Sequence, residues 1–119
     1  MAEKILIVDD ERHLVILLET AIKQSLPSAT VSVASNGKQA LQMYEKEGAD
    51  LIILDHRMPL MNGPELTRVL RSRGETVPIV MISGDFTVGK EAYTAGATLF
   101  VATLELLQKL PEILARFFP

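Results

Sequence analysis

The sequence predicts an α/β fold: a single domain, residues 1–119, with a five-stranded parallel sheet covered by helices on both sides. Five short apolar segments alternate with five segments whose apolar residues recur at helical spacing, and the connections are short. The central segment, Leu51–Leu54, contains four large apolar residues in a row. This pattern is typical of a strand buried on both faces. A chain of 119 residues is long enough to enclose such a core.

The five strand segments are rich in β-branched and large apolar residues, and turn residues separate them from the helices. Gly48 and Gly74 follow two of the helical segments, and Gly96 precedes the last strand. The predicted strands are residues 4–8, 29–34, 51–54, 79–82 and 98–102.

The first helical segment carries its apolar stripe from Leu14 to Leu26 and includes Leu17. Asp10 precedes it and is the expected N-cap residue. Val15 and Ile16 fall outside the stripe, so we expect both to be exposed.

The later helices carry different boundary signals. Asn62 with Glu65 three residues on resembles a capping box, and Pro64 suits the first turn. The fourth helix is weakly marked. Pro111 lies inside the pattern of the last helix, where it should either kink the helix or occupy its first turn.

Composition narrows the class of protein. The chain is 48% hydrophobic and 23% charged, which excludes general disorder. A net charge of −3 gives no reason to expect a nucleic-acid or membrane partner. The absence of cysteine excludes disulfides, thiolate metal sites and cysteine nucleophiles. The N-terminus shows no signal-peptide pattern and no apolar run approaches the roughly 20 residues of a membrane span, so we expect a cytoplasmic protein.

Polar residues gather where the predicted strands end. Asp9 and Asp10 follow the first strand, Asp55 the third and Ser83 the fourth, and residues 100–103 end the fifth. Carboxylates brought together there repel one another unless protonated or neutralised by a cation. Mg²⁺ suits such an open site with hard oxygen ligands. A carboxylate beside Mg²⁺ can attack a phosphoryl group, and a serine hydroxyl can hydrogen-bond the transferred group.

On these residues the chain resembles the receiver domains of bacterial response regulators, from Lys4 to about Phe118. The resemblance rests on an ordered set of short motifs at the strand ends. They are the acidic stretch 5–11, Asp55 with residues 58–63, Ser83, and Gly96-Ala97. It implies a flavodoxin-like, doubly wound (βα)5 fold with strand order 2-1-3-4-5.

The resemblance also implies a phosphoacceptor site. Asp55 would accept a phosphoryl group from a sensor histidine kinase or a phosphotransfer protein. Asp10, Asp55 and the backbone carbonyl of Arg57 would bind Mg²⁺, and Asp9 would act through a bound water.

Two further residues would transmit the signal. Ser83 occupies the position of the family's switch hydroxyl and Phe100 that of its switch aromatic residue. Their movement reshapes the surface of helix four, strand five and helix five, which would contact a downstream output domain or protein or form a homodimer. The resemblance implies a signalling receiver and no independent enzyme.

One departure from the family pattern concerns the end of strand five, where the usual Lys-Pro falls on Thr103-Leu104. The family's lysine supplies a cationic hydrogen-bond donor at the point where negative charge accumulates, and this chain lacks that donor. The departure leaves a second function open, a protein-interaction module with the receiver fold that works without phosphorylation.

Other readings are weaker. An independent Mg²⁺-dependent phosphatase or phosphotransferase with an aspartyl nucleophile often needs a second acid two residues after it, where this chain has Arg57. The acidic edge would repel the phosphate of a flavin cofactor. His13 and His56 lack paired ligand spacing, so we expect both to face solvent, with His56 lining the site at most.

Overall fold

A computed structural model describes residues 2–119 as an alternating series of strands and helices. The strands are β1 Lys4–Val8, β2 Thr30–Ala34, β3 Leu51–Asp55, β4 Ile79–Ser83 and β5 Leu99–Ala102. The helices are α1 Arg12–Ser25, α2 Gly37–Glu47, α3 Gly63–Ser72, α4 Gly89–Ala95 and α5 Thr103–Phe117, and a 3₁₀ turn, Phe86–Val88, precedes α4. No helix within residues 2–119 is both long enough and apolar enough to cross a membrane.

The five strands form one parallel sheet in the order β2-β1-β3-β4-β5, which confirms the predicted fold class and strand order. Its register pairs Val8 with Leu54, and Asp55 with Ile82. The carboxyl ends of β1, β3 and β4 therefore lie together at one edge of the sheet, where open α/β folds place their sites.

The core lies on both faces of the sheet. On one face Leu51 and Ile53 pack with α1 and α5; on the other, Ile52 and Leu54 pack with α2, α3 and α4. All four side chains are at most 1% exposed, as the apolar run predicted. Burial of each such side chain contributes roughly 1.5–3 kcal/mol, so β3 is firmly anchored in the core.

Capping side chains fix the starts of α2 and α3, and the capping box of α3 is as predicted. The Asn62 side chain accepts a hydrogen bond from the Glu65 N–H at 3.0 Å, and the Glu65 carboxylate accepts one from the Asn62 N–H at 2.9 Å. Asn36 caps α2, which ends at Gly48 with a φ of 71°.

Two predictions about α1 are wrong. The N-cap is Glu11 rather than Asp10, because the Glu11 carboxylate accepts hydrogen bonds from His13 N–H and Leu14 N–H. Val15 is 7% exposed and belongs to the core, whereas Leu17 is 52% exposed. Ile16 is exposed, as expected.

Helix α5 decides between the two positions predicted for Pro111. It begins at Thr103 directly after β5 and continues through Pro111, which therefore lies in its interior and not in its first turn. Pro111 lacks an N–H, so the Leu107 carbonyl one turn earlier loses its usual helical partner. Leu107 itself is 38% exposed, so the break in the helical hydrogen bonding lies on a partly exposed part of α5.

Arg71 joins the end of α3 to the turn before β5. Its guanidinium donates to the Gly96 carbonyl at 2.9 Å and to the Glu75 carbonyl at 3.0 Å. The Glu75 carboxylate accepts a hydrogen bond from the Tyr44 hydroxyl at 2.6 Å, which adds α2 to the network. Burial of the guanidinium lowers the pKa of Arg71.

We expect Arg71→Met to lower the free energy of unfolding by about 1.5–3 kcal/mol, because two partly buried carbonyls lose a charged donor. Urea denaturation measures the change. Arg73→Met is the matched control: Arg73 makes an exposed ion pair with Glu45 at 3.2 Å, and its loss should cost less than about 1 kcal/mol. Equal losses in the two variants would contradict this role of Arg71.

Candidate functional site

Three aspartates meet at the carboxyl edge of the sheet. Asp9 and Asp10 follow β1 and Asp55 ends β3, and each offers a carboxylate oxygen within 4.8 Å of the others. They differ in exposure: Asp9 is buried, Asp55 is half-buried and Asp10 is exposed. Within residues 2–119 this is the one group of three or more acidic, histidine or cysteine side chains close enough to hold a metal ion.

Asp9 is held at the edge of the sheet by hydrogen bonds, but one of its carboxylate oxygens has no hydrogen-bond partner among the described residues. Its N–H donates to the Ala34 carbonyl at 3.0 Å, and its Oδ1 accepts a hydrogen bond from the Glu11 N–H at 2.9 Å. Its Oδ2 is buried and has no hydrogen-bond partner among the described residues. A buried carboxylate oxygen in this state requires a proton or a cation nearby.

The crowding of carboxylates changes their protonation. Burial and the negative charge of Asp9 raise the pKa of Asp55 from 3.8 to about 7, against a smaller lowering by a hydrogen bond from the Arg57 backbone. Burial also raises the pKa of Asp9. Near neutral pH and without a cation, the Asp55 carboxyl is therefore partly protonated.

The donor set fits Mg²⁺. It consists of hard carboxylate oxygens, one of them with an unpaired buried position, and the exposed Asp10 leaves room for water ligands. A divalent cation at this point would replace the proton as the group that offsets the repulsion. Three of the residues predicted to bind the metal, Asp9, Asp10 and Asp55, thus lie together.

The loop after Asp55 is held in place by α2. The carbonyls of Leu60 and Met61 accept hydrogen bonds from the N–H groups of Lys38 at 2.9 Å and Gly37 at 3.1 Å. Both loop residues have left-handed φ values of 51° and 82°, which cost roughly 1–2 kcal/mol each. A Cβ at Gly37 would lie 2.1 Å from the Met61 carbonyl oxygen, so the close approach needs glycine.

Ser83 lies at the end of the strand next to Asp55. Asp55 pairs with Ile82, so Ser83 stands one residue further along β4. The side chain is 6% exposed, and its Oγ accepts a hydrogen bond from the Asp85 N–H at 3.0 Å. The hydroxyl keeps its own hydrogen for donation.

Phe100 lies apart from the acids, between β5 and α4. Its ring packs with the apolar residues under α4, and a Cβ at Gly89 would be 3.2 Å from the ring. Its N–H donates to the Tyr93 hydroxyl at 3.0 Å. The ring therefore contacts the helix whose surface the predicted switch would change.

Thr103 lines the same cleft as Asp9 and Asp55, together with Leu104. It follows Ala102, which pairs with Ser83, and so lies two strands away from β3. Two strand spacings amount to about 10 Å. The short threonine side chain cannot span that gap, whereas the four-carbon stem of a lysine covers most of it. The charges that act on the Asp55 pKa are those of Asp9 and Asp10, both negative.

The prediction that His56 faces solvent is wrong. Its side chain is 12% exposed, and its Nε2 contacts the carboxylate of Glu91 on α4. Strand periodicity could have indicated this position, because His56 lies on the same face as Ile52 and Leu54. Nothing in the sequence singled out Glu91. His13 is exposed, as expected.

Residues 5–114 match the response regulator receiver domain family. The chain belongs to this family. A curated relative, the two-component response regulator ORR41 of Oryza sativa subsp. japonica, is 36% identical over 96% of this chain and 93% of that protein. The response regulator MprA of Mycobacterium ulcerans is 33% identical over 98% of this chain, which spans about half (52%) of that protein.

Solved receiver domains share the fold. The receiver domain of the sensor histidine kinase PA1611 from Pseudomonas aeruginosa PAO1 superposes with a TM-score of 0.86 over 98% of each chain, at 26% identity. That structure has a magnesium ion coordinated in its active site cleft. The receiver domain described here carries its acidic cluster at the carboxyl edge of the same kind of sheet.

The raised pKa of Asp55 predicts a pH-dependent stability. The folded protein binds the Asp55 proton more tightly than the unfolded chain, because the pKa rises from 3.8 to about 7 on folding. Without metal, stability should therefore fall as the pH rises between those values. Asp55→Asn removes this loss, and we expect it to raise the free energy of unfolding near pH 8 by about 1–2 kcal/mol after allowance for solvent screening.

Urea denaturation of the metal-free protein at several pH values tests this expectation. The advantage of Asp55→Asn should shrink towards pH ~4. Glu112→Gln, which neutralises an exposed acid on α5, is the control and should show little pH-dependent gain. A destabilised Asp55→Asn protein at the higher pH would contradict the assigned repulsion.

Proposed function

We propose that this receiver domain accepts a phosphoryl group on Asp55 from the phosphohistidine of a sensor histidine kinase or a phosphotransfer protein. The observation that carries the proposal is the meeting of Asp9, Asp10 and Asp55, with carboxylate oxygens within 4.8 Å, at the end of the buried central strand. Membership of the receiver family supports the reaction class.

In this reaction an Asp55 carboxylate oxygen attacks the phosphorus atom and forms an acyl phosphate. The P–N bond of the phosphohistidine breaks, and its electron pair leaves with the imidazole of the donor. Asp55 can attack only as a carboxylate, so any proton on its carboxyl group must leave first. The half-buried position of Asp55 keeps the carboxylate accessible from the cleft.

Asp10, Asp55 and the Arg57 backbone carbonyl would hold Mg²⁺, with Asp9 acting through a water. When bound, the ion offsets the negative charge that the carboxylates and the phosphoryl group bring together. The buried Oδ2 of Asp9 supports this assignment, since it has no hydrogen-bond partner among the described residues.

Ser83 and Phe100 would carry the signal outward. The Ser83 hydroxyl would donate to a phosphoryl oxygen and move towards Asp55. The hydrogen bond from the Asp85 N–H to Ser83 would then break, unless Asp85 moves together with Ser83. Phe100, packed between β5 and α4, would move with the altered segment and change the α4-β5-α5 surface. We propose that this surface contacts an output domain or protein and can support a homodimer.

We further propose that residues 1–119 work as one signalling domain in the cytoplasm, without direct binding to nucleic acid and without independent enzyme activity. A second candidate function is an interaction module that works without phosphorylation. Thr103 favours it, because the site then has no cation on β5 to stabilise the phosphoryl group.

The phosphoacceptor assignment predicts Mg²⁺-dependent labelling by a small phosphodonor such as acetyl phosphate. Intact-mass measurement should detect one added phosphoryl group on the wild type and none on Asp55→Asn. Asp50→Asn, at an exposed acid one strand-length before Asp55, is the matched control and should be labelled normally.

Labelling of Asp55→Asn to the wild-type extent would refute the assignment. If the wild type is not labelled under conditions that label another receiver domain, the interaction module becomes the better function.

Because position 103 lacks the family's lysine, we expect a lysine introduced there to increase the rate of phosphorylation. Thr103→Lys should lower the pKa of Asp55 and raise the labelling rate about tenfold, the effect of roughly 1.4 kcal/mol from a charged hydrogen bond. Thr103→Met gives the matched control, with similar length and no charge. Labelling kinetics and NMR titration of the Asp55 carboxyl measure the two effects. Equal behaviour of the Lys and Met variants would show that the missing cation is not what limits this site.

A further inference from the structure

The residue next to the predicted phosphoacceptor is tied to helix α4. His56 Nε2 contacts the Glu91 carboxylate, 35 residues away in the chain. We propose that this His56–Glu91 contact is a latch that holds the segment between Ser83 and α4 in its resting position and slows the phosphorylation of Asp55. The rate effect rests on the phosphoacceptor function proposed above.

The backbone of His56 is anchored on two sides, so its ring is a fixed point for α4. Its N–H donates to the Ile82 carbonyl at 2.8 Å, and its carbonyl accepts from the Gly63 N–H at 3.0 Å. The first bond joins β3 to β4 and the second joins it to α3. The His56 side chain, which Glu91 contacts, therefore belongs to the rigid edge around Asp55.

The hydrogen of the imidazole is assigned by its surroundings. Nδ1 is buried and has no hydrogen-bond partner among residues 2–119, so a hydrogen there would be unsatisfied. The tautomer with the hydrogen on Nε2 donates to the Glu91 carboxylate and leaves Nδ1 as a bare acceptor. A bond from an N–H to a carboxylate is among the stronger hydrogen bonds of proteins.

Apart from the latch, the segment is held by local hydrogen bonds of Asp85 with Thr87 and by the Tyr93 hydroxyl, which accepts from the Phe100 N–H. Residues 84–87 are all exposed, and α4 is a seven-residue helix without a side-chain cap at its start. The Asp85 N–H bonds the Ser83 hydroxyl, and a Cβ at Gly84 would contact nothing within 4 Å. Among residues of α4, Ala92 and Ala95 are buried. Such a segment opens locally at low free energy unless a specific contact closes it.

The direction that we propose for the effect rests on the bond that connects the segment to Ser83. The bond between Asp85 and Ser83 connects the segment to the hydroxyl that must approach a phosphorylated Asp55. The latch stabilises the resting arrangement of this segment, so it lowers the population of the arrangement that suits the phosphoryl group. Breaking the latch should therefore favour the phosphorylated state.

Hydrogen–deuterium exchange of the unphosphorylated, metal-free protein tests the contact itself. His56→Leu and Glu91→Ala each remove one partner, and amide exchange in residues 84–91 should quicken about five- to tenfold. His56→Gln keeps an N–H donor near the place of Nε2 and should restore slow exchange. The double variant should add little to either single variant, because both remove the same bond. Glu91 is exposed, so Glu91→Ala keeps the test valid if His56→Leu does not fold.

Labelling with acetyl phosphate and Mg²⁺ tests the consequence. His56→Leu and Glu91→Ala should be labelled about three- to tenfold faster than the wild type, and His56→Gln close to the wild-type rate. Unchanged exchange in both single variants would refute the latch. Faster exchange with unchanged or slower labelling would refute its effect on phosphorylation. An unlabelled wild type would refute the phosphoacceptor function and this rate effect together, whereas the exchange result would still decide whether the contact restrains α4.

Discussion

The structure depends on one electrostatic conflict, the approach of Asp9 and Asp55 at the end of a fully buried strand. The four apolar residues of β3 bury their side chains on both faces of the sheet and fix where Asp55 emerges. Parallel pairing of β1 with β3 then brings Asp9 beside it. Hydrophobic burial thus holds together two carboxylates that repel each other, and a proton or a cation must offset the repulsion.

The strands and the acidic site could be predicted from the sequence because a parallel sheet puts all carboxyl ends at one edge. Helix α1 was harder, since Leu14–Leu18 are five apolar residues in a row and either of two stripes could face the sheet. The cap of α1 was missed because Asp9, Asp10 and Glu11 are consecutive acids, any of which suits a helix start. Only the hydrogen bonds of the folded chain identify Glu11.

Contacts between segments that are distant in the chain could not be predicted from the sequence. His56 and Glu91 lie on different elements, and α4 gave so weak a signal that the face of Glu91 could not be predicted. The protonation of Asp55 was also unpredictable in detail. It depends on how far Asp9 is buried and on the distance between the two carboxylates, neither of which a residue pattern contains.

In the proposed function, Thr103 and the His56–Glu91 contact would act on the same balance between two arrangements of the β4–α4 segment. A phosphoryl group can shift that balance only by the free energy with which it prefers one arrangement. Without a cation on β5, this preference loses roughly 1.5–3 kcal/mol, a factor of about ten to a hundred. Helix α4 is short and has no side-chain cap at its start. If its two arrangements differ little in free energy, a weaker input is enough to shift the population between them. In the proposed function, a phosphate site without this cation would act on a segment whose resting arrangement the His56–Glu91 contact stabilises.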